Sequence, residues 1–292
     1  MTRGAYIAVD WGTTNRRAWL VDARGAVLDQ RRDERGVLSI VPGSYPREIA
    51  DLRRALGDVP VFAAGMIGST RGWHDAPYVD APASLALLAE HAVRLDAGVT
   101  IVPGVALRAP HRADVMRGEE VQALGAVTAG LVPGDALLCQ PGTHNKWIEL
   151  SDGRIARFAT TMTGELFALL RAHGILAGML DGTVRDGTPF RAGLARGAGA
   201  RDLSSALFEV RARVLLGVRA ADDAAAFASG ILIGADVGAR DDVAGRDVYL
   251  LASGGLADLY ASAIAFVGAR AVPVDSDAAF LAGMHAIWEL SA

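Results

Sequence analysis

Near its N-terminus the chain reads Ile7-Ala8-Val9-Asp10-Trp11-Gly12-Thr13-Thr14-Asn15. An apolar strand stops at a carboxylate and turns on a glycine followed by two hydroxyls. Glycine lets a backbone approach a phosphate closely, amides and hydroxyls donate to its oxygens, and Asp10 can hold hydrated magnesium. An ordinary hairpin uses the same residue types, so this match alone leaves the question open. The design returns at Pro141-Gly142-Thr143-His144-Asn145-Lys146-Trp147, another Gly-Thr turn between two strand-like runs. The repetition points to two phosphate clamps, one from each of two lobes.

Working outward, strand-like Arg17–Val21 and Ala26–Leu28 follow the first turn, while Lys146–Leu150 and Ile155–Thr160 follow the second. Each half therefore opens with a meander of short strands, an internal repeat of architecture without sequence identity. Between them the pattern predicts a helix near Pro46–Leu56, a strand at Val61–Ala64, a helix over Ala83–Leu95, a strand at Val99–Val102 and a helix opening at Gly118-Glu119-Glu120. Later helices are expected near Glu165–His173, Ala206–Leu216, Ala224–Val237, Asp258–Val267 and Ala278–Leu290, with strands at Val248–Ala252 and Ala271–Val274. The Gly- and Arg-rich region Thr183–Arg201 reads as a flexible insertion. The expected class is α/β with two lobes, each a mixed sheet flanked by helices. One lobe is expected over residues 1–117 with 277–292 returning to it, the other over 118–276.

Composition narrows the function. At 292 residues and 51% hydrophobic content the chain can bury two cores. A net charge of −4 offers no footprint for nucleic acid or an anionic membrane. The single cysteine, Cys139, lies in an apolar run and fits a reducing compartment, and no leader precedes the first strand, so a cytoplasmic protein is expected. Of 29 Lys and Arg residues only Lys146 is lysine. Its place in the second turn suggests a need for a compact ammonium rather than a planar fork. Leu250-Leu251-Ala252-Ser253-Gly254-Gly255 adds a buried strand entering a Gly-Gly helix start, which admits a flat base or a phosphate, or else makes a close strand–helix joint.

The order of these turns resembles the sugar kinase, hexokinase, actin and heat-shock chaperone superfamily. Val115-Met116-Arg117-Gly118-Glu119-Glu120, Pro141–Trp147 and Met162-Thr163-Gly164-Glu165-Leu166 narrow the resemblance to the 2-dehydro-3-deoxygalactonokinase family, and Ser229–Ala235 and Ala279–Gly283 extend it toward the C-terminus. One departure is Asn145, where the family carries a small residue. The resemblance implies a ribonuclease H-like actin/hexokinase architecture and ATP-dependent phosphorylation of 2-dehydro-3-deoxy-D-galactonate at its 6-hydroxyl, with Mg2+. It implies ATP contacts from Gly12, Thr13, Thr14, Gly142, Thr143, His144, Gly254 and Gly255, and magnesium at Asp10. It also implies Glu119 as general base, with Glu120 as runner-up, because related sugar kinases place an acid at a helix start ahead of the second turn.

A sugar acid needs a cation for its carboxylate, and Lys146, Arg16 and Arg117 are the nearest offers. Gly65, Met66, Gly68, Ser69, Trp73 and Tyr78 supply the glycines, hydroxyl and aromatic faces of a sugar pocket, although Trp73 and Tyr78 suit ordinary packing equally. Glu165 can bond a sugar hydroxyl, and Thr163 can cap its helix. Competing readings are a kinase for another acid such as 2-dehydro-3-deoxygluconate and a non-catalytic nucleotide switch; an assay for acceptor-dependent ATP use separates the latter. A homodimer is expected only from the prevalence of two-fold assemblies.

Overall fold

The computed structural model describes residues 4–96, 98–199 and 201–291. It separates into two compact units. One takes the chain up to Asp135, the segment Ile148–Phe158 and the chain from Asp275 onward; the other takes Ala136–Trp147 and Ala159–Val274. The division therefore falls after Asp135 rather than after Arg117, because the helix opening at Glu119 packs within the first unit.

The first unit begins with β1 (Tyr6–Trp11), β2 (Arg16–Val21), β3 (Val27–Asp33) and α1 (Tyr45–Leu56). It continues with β4 (Val61–Gly65), β5 (Val79–Asp80), α2 (Leu85–Glu90), β6 (Val93–Leu95) and β7 (Val99–Ile101). After these come β8 (Val105–Ala109), β9 (Arg112–Met116) and α3 (Glu119–Thr128). A six-stranded sheet runs β3-β2-β1-β4-β7-β6, and a second runs β5-β8-β9. Strand β1 is buried except at Asp10, as its apolar run requires, and pairs antiparallel with β2 and parallel with β4. Ile49, Leu52 and Leu56 place one face of α1 on the core formed by Ile7, Val9 and Val61.

The second unit contains β10 (Ala136–Gln140) and the near ends of β11 (Asn145–Ser151) and β12 (Arg154–Thr161). It continues with α4 (Thr163–Ala172), α5 (Thr188–Ala198), α6 (Leu203–Leu215), α7 (Ala224–Gly238), β13 (Asp247–Leu250), α8 (Gly254–Phe266) and β14 (Arg270–Pro273). Helix α9 (Ser276–Leu290) returns to the first unit and packs on α3. The strand order β12-β11-β10-β13-β14 matches β3-β2-β1-β4-β7, so the architectural repeat is present. Among the described residues no helix is long and apolar enough to cross a membrane.

Three readings change. The helix expected over Ala83–Leu95 stops at Glu90, and Val93–Leu95 pairs antiparallel with β7 as a sheet edge. The β8–β9 hairpin was not foreseen; its outer residues are mostly exposed, which weakens the apolar alternation. The supposed flexible insertion holds α5, packed along α7. Gly193 and Gly197 on α5 face Gly230 and Gly234 on α7, so the two backbones nearly touch: a β-carbon on Gly230 would stand 2.1 Å from the Phe190 carbonyl oxygen. Gly230→Ala is expected to lower the thermal midpoint by on the order of 10 °C through overpacking. A midpoint within about 2 °C of the parent, measured by calorimetry, would show that the helices separate without cost.

Candidate functional site

Asp10, one residue before the end of β1, lies directly opposite Arg17 on β2. Arg17 bonds Oδ2 of Asp10 and also Asp277 at 2.6 Å, and Arg32 bonds the other oxygen of Asp277. Charges thus alternate along Asp10, Arg17, Asp277 and Arg32. Asp10, Gly12, Thr13, Thr14, Arg17 and Arg32 line a cavity of about 550 Å³. Burial pushes the Asp10 carboxyl above its ordinary range, with Arg17 opposing and the nearby Glu119 and Asp277 adding to the rise.

Backbone bonding gives the first turn its polarity. Gly36, Val37 and Leu38 donate their N–H groups to the carbonyls of Thr14, Gly12 and Thr13, at 3.0, 3.0 and 3.2 Å. The N–H groups of Thr13 and Thr14 donate to no other backbone group among the described residues. Both residues are exposed. A turn whose carbonyls are occupied and whose donors are spare is suited to an anion.

Beneath the turn, Gly65 ends β4 with φ +95° and Gly118 precedes α3 with φ +108°. A β-carbon on Gly65 would meet the Trp11 carbonyl oxygen at 2.7 Å, and one on Gly118 would meet the Gly65 α-carbon at 3.2 Å. This contact brings the start of α3 to the end of β1. Glu119 is half-buried and its Oε2 accepts the Arg117 N–H at 3.1 Å. Glu120 is wholly buried and both its oxygens lie within 2.8 Å of the Gly118 nitrogen. Arg117 is buried, donates from Nη2 to the Ala76 carbonyl at 2.7 Å and lies 4.3 Å from the Tyr78 ring centroid. Its Nε and Nη1 have no hydrogen-bond partner. Ser69 turns inward within its own loop, donating to the Met66 carbonyl at 2.7 Å, and Gly68 lies against Arg117.

In the second unit, Glu165 donates its N–H to the Thr143 carbonyl at 2.9 Å, and its carboxylate meets His144 Nε2 at 2.6 Å. Gly164 is required here because a β-carbon would stand 2.4 Å from the Gly142 carbonyl oxygen. Lys146 is buried. Gly254, with φ +62°, opens α8, and β-carbons built on Gly254 and Gly255 would meet nothing within 4 Å, so space stays open beside that helix start. Among the described residues no group of three His, Cys, Asp or Glu side chains is placed to hold a metal by itself.

Four expectations need correction. Arg16 cannot read a substrate carboxylate: its guanidinium is buried, bonds Asp33 through Nε and Nη2 and bonds Glu48 through Nη1 at 3.0 Å. Glu120 exposes no surface to a substrate and is occupied with the helix start. Trp73 stacks on Tyr45 at 5.8 Å and joins the α1 core, the packing reading that its sequence left open. Thr163 does not cap α4; its hydroxyl donates to Asp236. Sequence reasoning passed over Arg17 and Asp236. For Arg17 the available signal was strand alternation, which turns neighbouring arginines to opposite faces. For Asp236 it was a lone carboxylate inside an apolar helix.

Two like-ordered sheets, each with a Gly-Thr turn after its first strand, define an α/β protein of the actin/hexokinase-like fold. Comparison with known proteins narrows that class. A family model described as 2-keto-3-deoxy-galactonokinase matches residues 10–287, and the chain belongs to that family. It is 39% identical to the Rhizobium meliloti (strain 1021) protein named Probable 2-dehydro-3-deoxygalactonokinase DgoK1, over 99% of each chain. Identity is 37% with the 2-dehydro-3-deoxygalactonokinase of Escherichia coli (strain K12), over 97% of each. The crystal structure of a candidate 2-dehydro-3-deoxygalactonokinase from Sinorhizobium meliloti superposes with a TM-score of 0.89 at 38% identity, covering 97% of both chains.

The environment of Glu120 has a measurable consequence. Burial first, then the neighbouring Glu119, pushes its carboxyl from 4.5 to about 8. The folded protein therefore holds a proton that the unfolded chain has lost by neutral pH. The stability contributed by protonated Glu120 is complete below about 4.5 and is lost as pH rises through about 8. Glu120→Gln keeps an acceptor for the Gly118 N–H and removes this dependence. Its thermal midpoint should exceed the parent's by on the order of 5 °C near pH 9 and fall less steeply from about pH 5 upward. Parallel midpoint curves would locate the proton elsewhere.

Proposed function

We propose that this chain transfers the γ-phosphoryl group of ATP to the 6-hydroxyl of 2-dehydro-3-deoxy-D-galactonate. The observation that carries the reading is the first turn, where spare backbone donors and two hydroxyls adjoin a half-buried carboxylate on one cavity. Similarity over nearly the whole chain to relatives named for this acceptor supports it.

In the first unit, Gly12, Thr13 and Thr14 take phosphate oxygens through N–H and hydroxyl groups. Asp10 fits magnesium as a hard oxygen ligand: Arg17 engages Oδ2 and leaves Oδ1 for the ion or its water. Mg2+ at that place would neutralise phosphate charge during transfer. In the second unit, Gly142, Thr143 and His144 form a turn of the same kind suited to phosphate oxygens, with Lys146 as the local cation. The open space at Gly254 and Gly255 takes the nucleoside.

Glu119, partly exposed beside Asp10, accepts the proton of the acceptor hydroxyl as its oxygen bonds phosphorus and the bond from phosphorus to the β–γ bridging oxygen breaks. With Arg16 engaged, Arg117 is the better partner for the acceptor's carboxylate, because two of its nitrogens are uncommitted. Gly65, Met66, Gly68, Ser69 and Tyr78 form the surroundings of that group, and Glu165 stands by the second turn. The reaction belongs in the cytoplasm, in keeping with a buried, reduced Cys139.

Purified protein should consume ATP only when the galactonate-derived acid is present, and NMR of the product should place phosphorus on the 6-oxygen. The gluconate-derived epimer should turn over more slowly. ATP hydrolysis indifferent to any acceptor would refute the kinase reading. Glu119→Gln should lower kcat by about 10²–10⁴ with ADP affinity retained; near-normal turnover would move the base to another carboxylate.

A further inference from the structure

Helix α7 is buried along most of its length and carries one internal carboxylate, Asp236, only 5% exposed. A buried carboxylate persists where donors surround it. Oδ2 of Asp236 accepts from Asn145 Nδ2 at 2.6 Å, from the Tyr260 hydroxyl at 2.9 Å and from the Thr163 hydroxyl at 3.1 Å. Oδ1 accepts from the Trp147 indole nitrogen at 3.0 Å. Burial, and then the Asp236 carboxylate itself, drives the Tyr260 phenol far above its ordinary range, so it stays a donor.

The four donors come from elements that frame one end of this unit. Asn145 and Trp147 open β11 immediately after the turn Gly142-Thr143-His144. Thr163 opens α4, whose next two residues touch that turn through the Gly164 α-carbon and the Glu165 N–H. Tyr260 lies on α8, which begins at Gly254. Asn145 also receives the Cys139 thiol on Oδ1 at 3.5 Å, so it links β10 to α7. A small residue at position 145 could not make both contacts.

We propose that Asp236 is a positioning residue for the nucleotide: its carboxylate sets the second phosphate turn, the start of α4 and the body of α8 against a single reference point. The proposal rests on the kinase reading, with ATP held by that turn and by the α8 start. A carboxylate that merely filled the core would, on removal, lower stability without distinguishing one substrate from the other.

The test uses full-length protein, with ADP binding followed by calorimetry in the absence of acceptor and KM determined for each substrate. In Asp236→Asn an amide NH2 replaces one carboxylate oxygen, so the charge is lost and at least one of the four donors loses its acceptor. The Kd for ADP and the KM for ATP should each rise about tenfold, while the KM for the sugar acid stays within about twofold. Tyr260→Phe and Asn145→Ser should move the same quantities in the same direction by smaller factors. If Asp236→Asn does not fold, these two variants carry the comparison. Unchanged ADP affinity in variants of lowered thermal midpoint, or equal rises in both KM values, would overturn the proposal. Parent protein that binds no ADP and shows no acceptor-dependent ATP use would instead refute the kinase reading itself.

Discussion

Beneath the first turn, three backbones meet with no room for a β-carbon. Trp11 at the end of β1, Gly65 at the end of β4 and Gly118 before α3 pack atom against atom. Both glycines adopt positive φ, a conformation that any side chain would strain. From this joint the rest of the first unit's chemistry follows. It brings the start of α3 close enough to Asp10 that Glu119 raises the Asp10 carboxyl. It also aims the Gly118 N–H at Glu120 and so draws that side chain into the interior. A methyl group at either glycine would push the acidic helix start away from the turn that it serves.

Neighbouring arginines show how strand geometry assigns chemistry. Arg16 and Arg17 are adjacent in sequence, but β2 sends successive side chains to opposite faces. Arg16 goes inward beneath the Trp11 ring, 4.8 Å from its centroid, into a cluster with Asp33 and Glu48. Such a buried set is satisfied only as a whole, so none of its members can be lent to a ligand without leaving another charge unpaired. Arg17 goes to the face of Asp10 and the cavity. A reading based on residue type alone had no reason to prefer one over the other. The alternation of β2 decides it: Arg16 shares its face with Ala18 and Leu20, which pack in the α1 core, and Arg17 shares the opposite face with Trp19 and Val21.

Much of the fold was legible because its signals are local. Apolar runs ended by Gly-bearing turns gave both meanders, and Pro46 and Gly57 bracket α1 as their backbone preferences require. The failures share a cause. Thr183–Arg201 looked unstructured because glycine disfavours isolated helices, yet its glycines recur at the spacing that lets α5 press against α7. Their value lies in a partner that is distant in sequence, which local propensity cannot register. Asp236 was passed over for the same reason. Its four donors stand 24 to 91 positions away along the chain. Of the candidate site, the two Gly-Thr turns were readable as turns from the residues themselves. The division of labour among the charged groups was not, because it depends on which side chains are already engaged.

The two glutamates that open α3 carry this point furthest. Both suit the first turn of a helix, where the backbone dipole favours an anion, and sequence alone offers no means of separating them. Successive residues on a helix point about 100° apart, so a helix laid against a sheet can turn only one of them inward. Here that one is Glu120, and its burial holds a proton on a group that cannot reach a substrate. Glu119 keeps solvent access and stands near enough to Asp10 to raise that carboxyl. Two neighbouring like groups are thus given different surroundings, one enclosed and one open to solvent. In this chain the separation comes from the packing of a single glycine, Gly118, against Gly65.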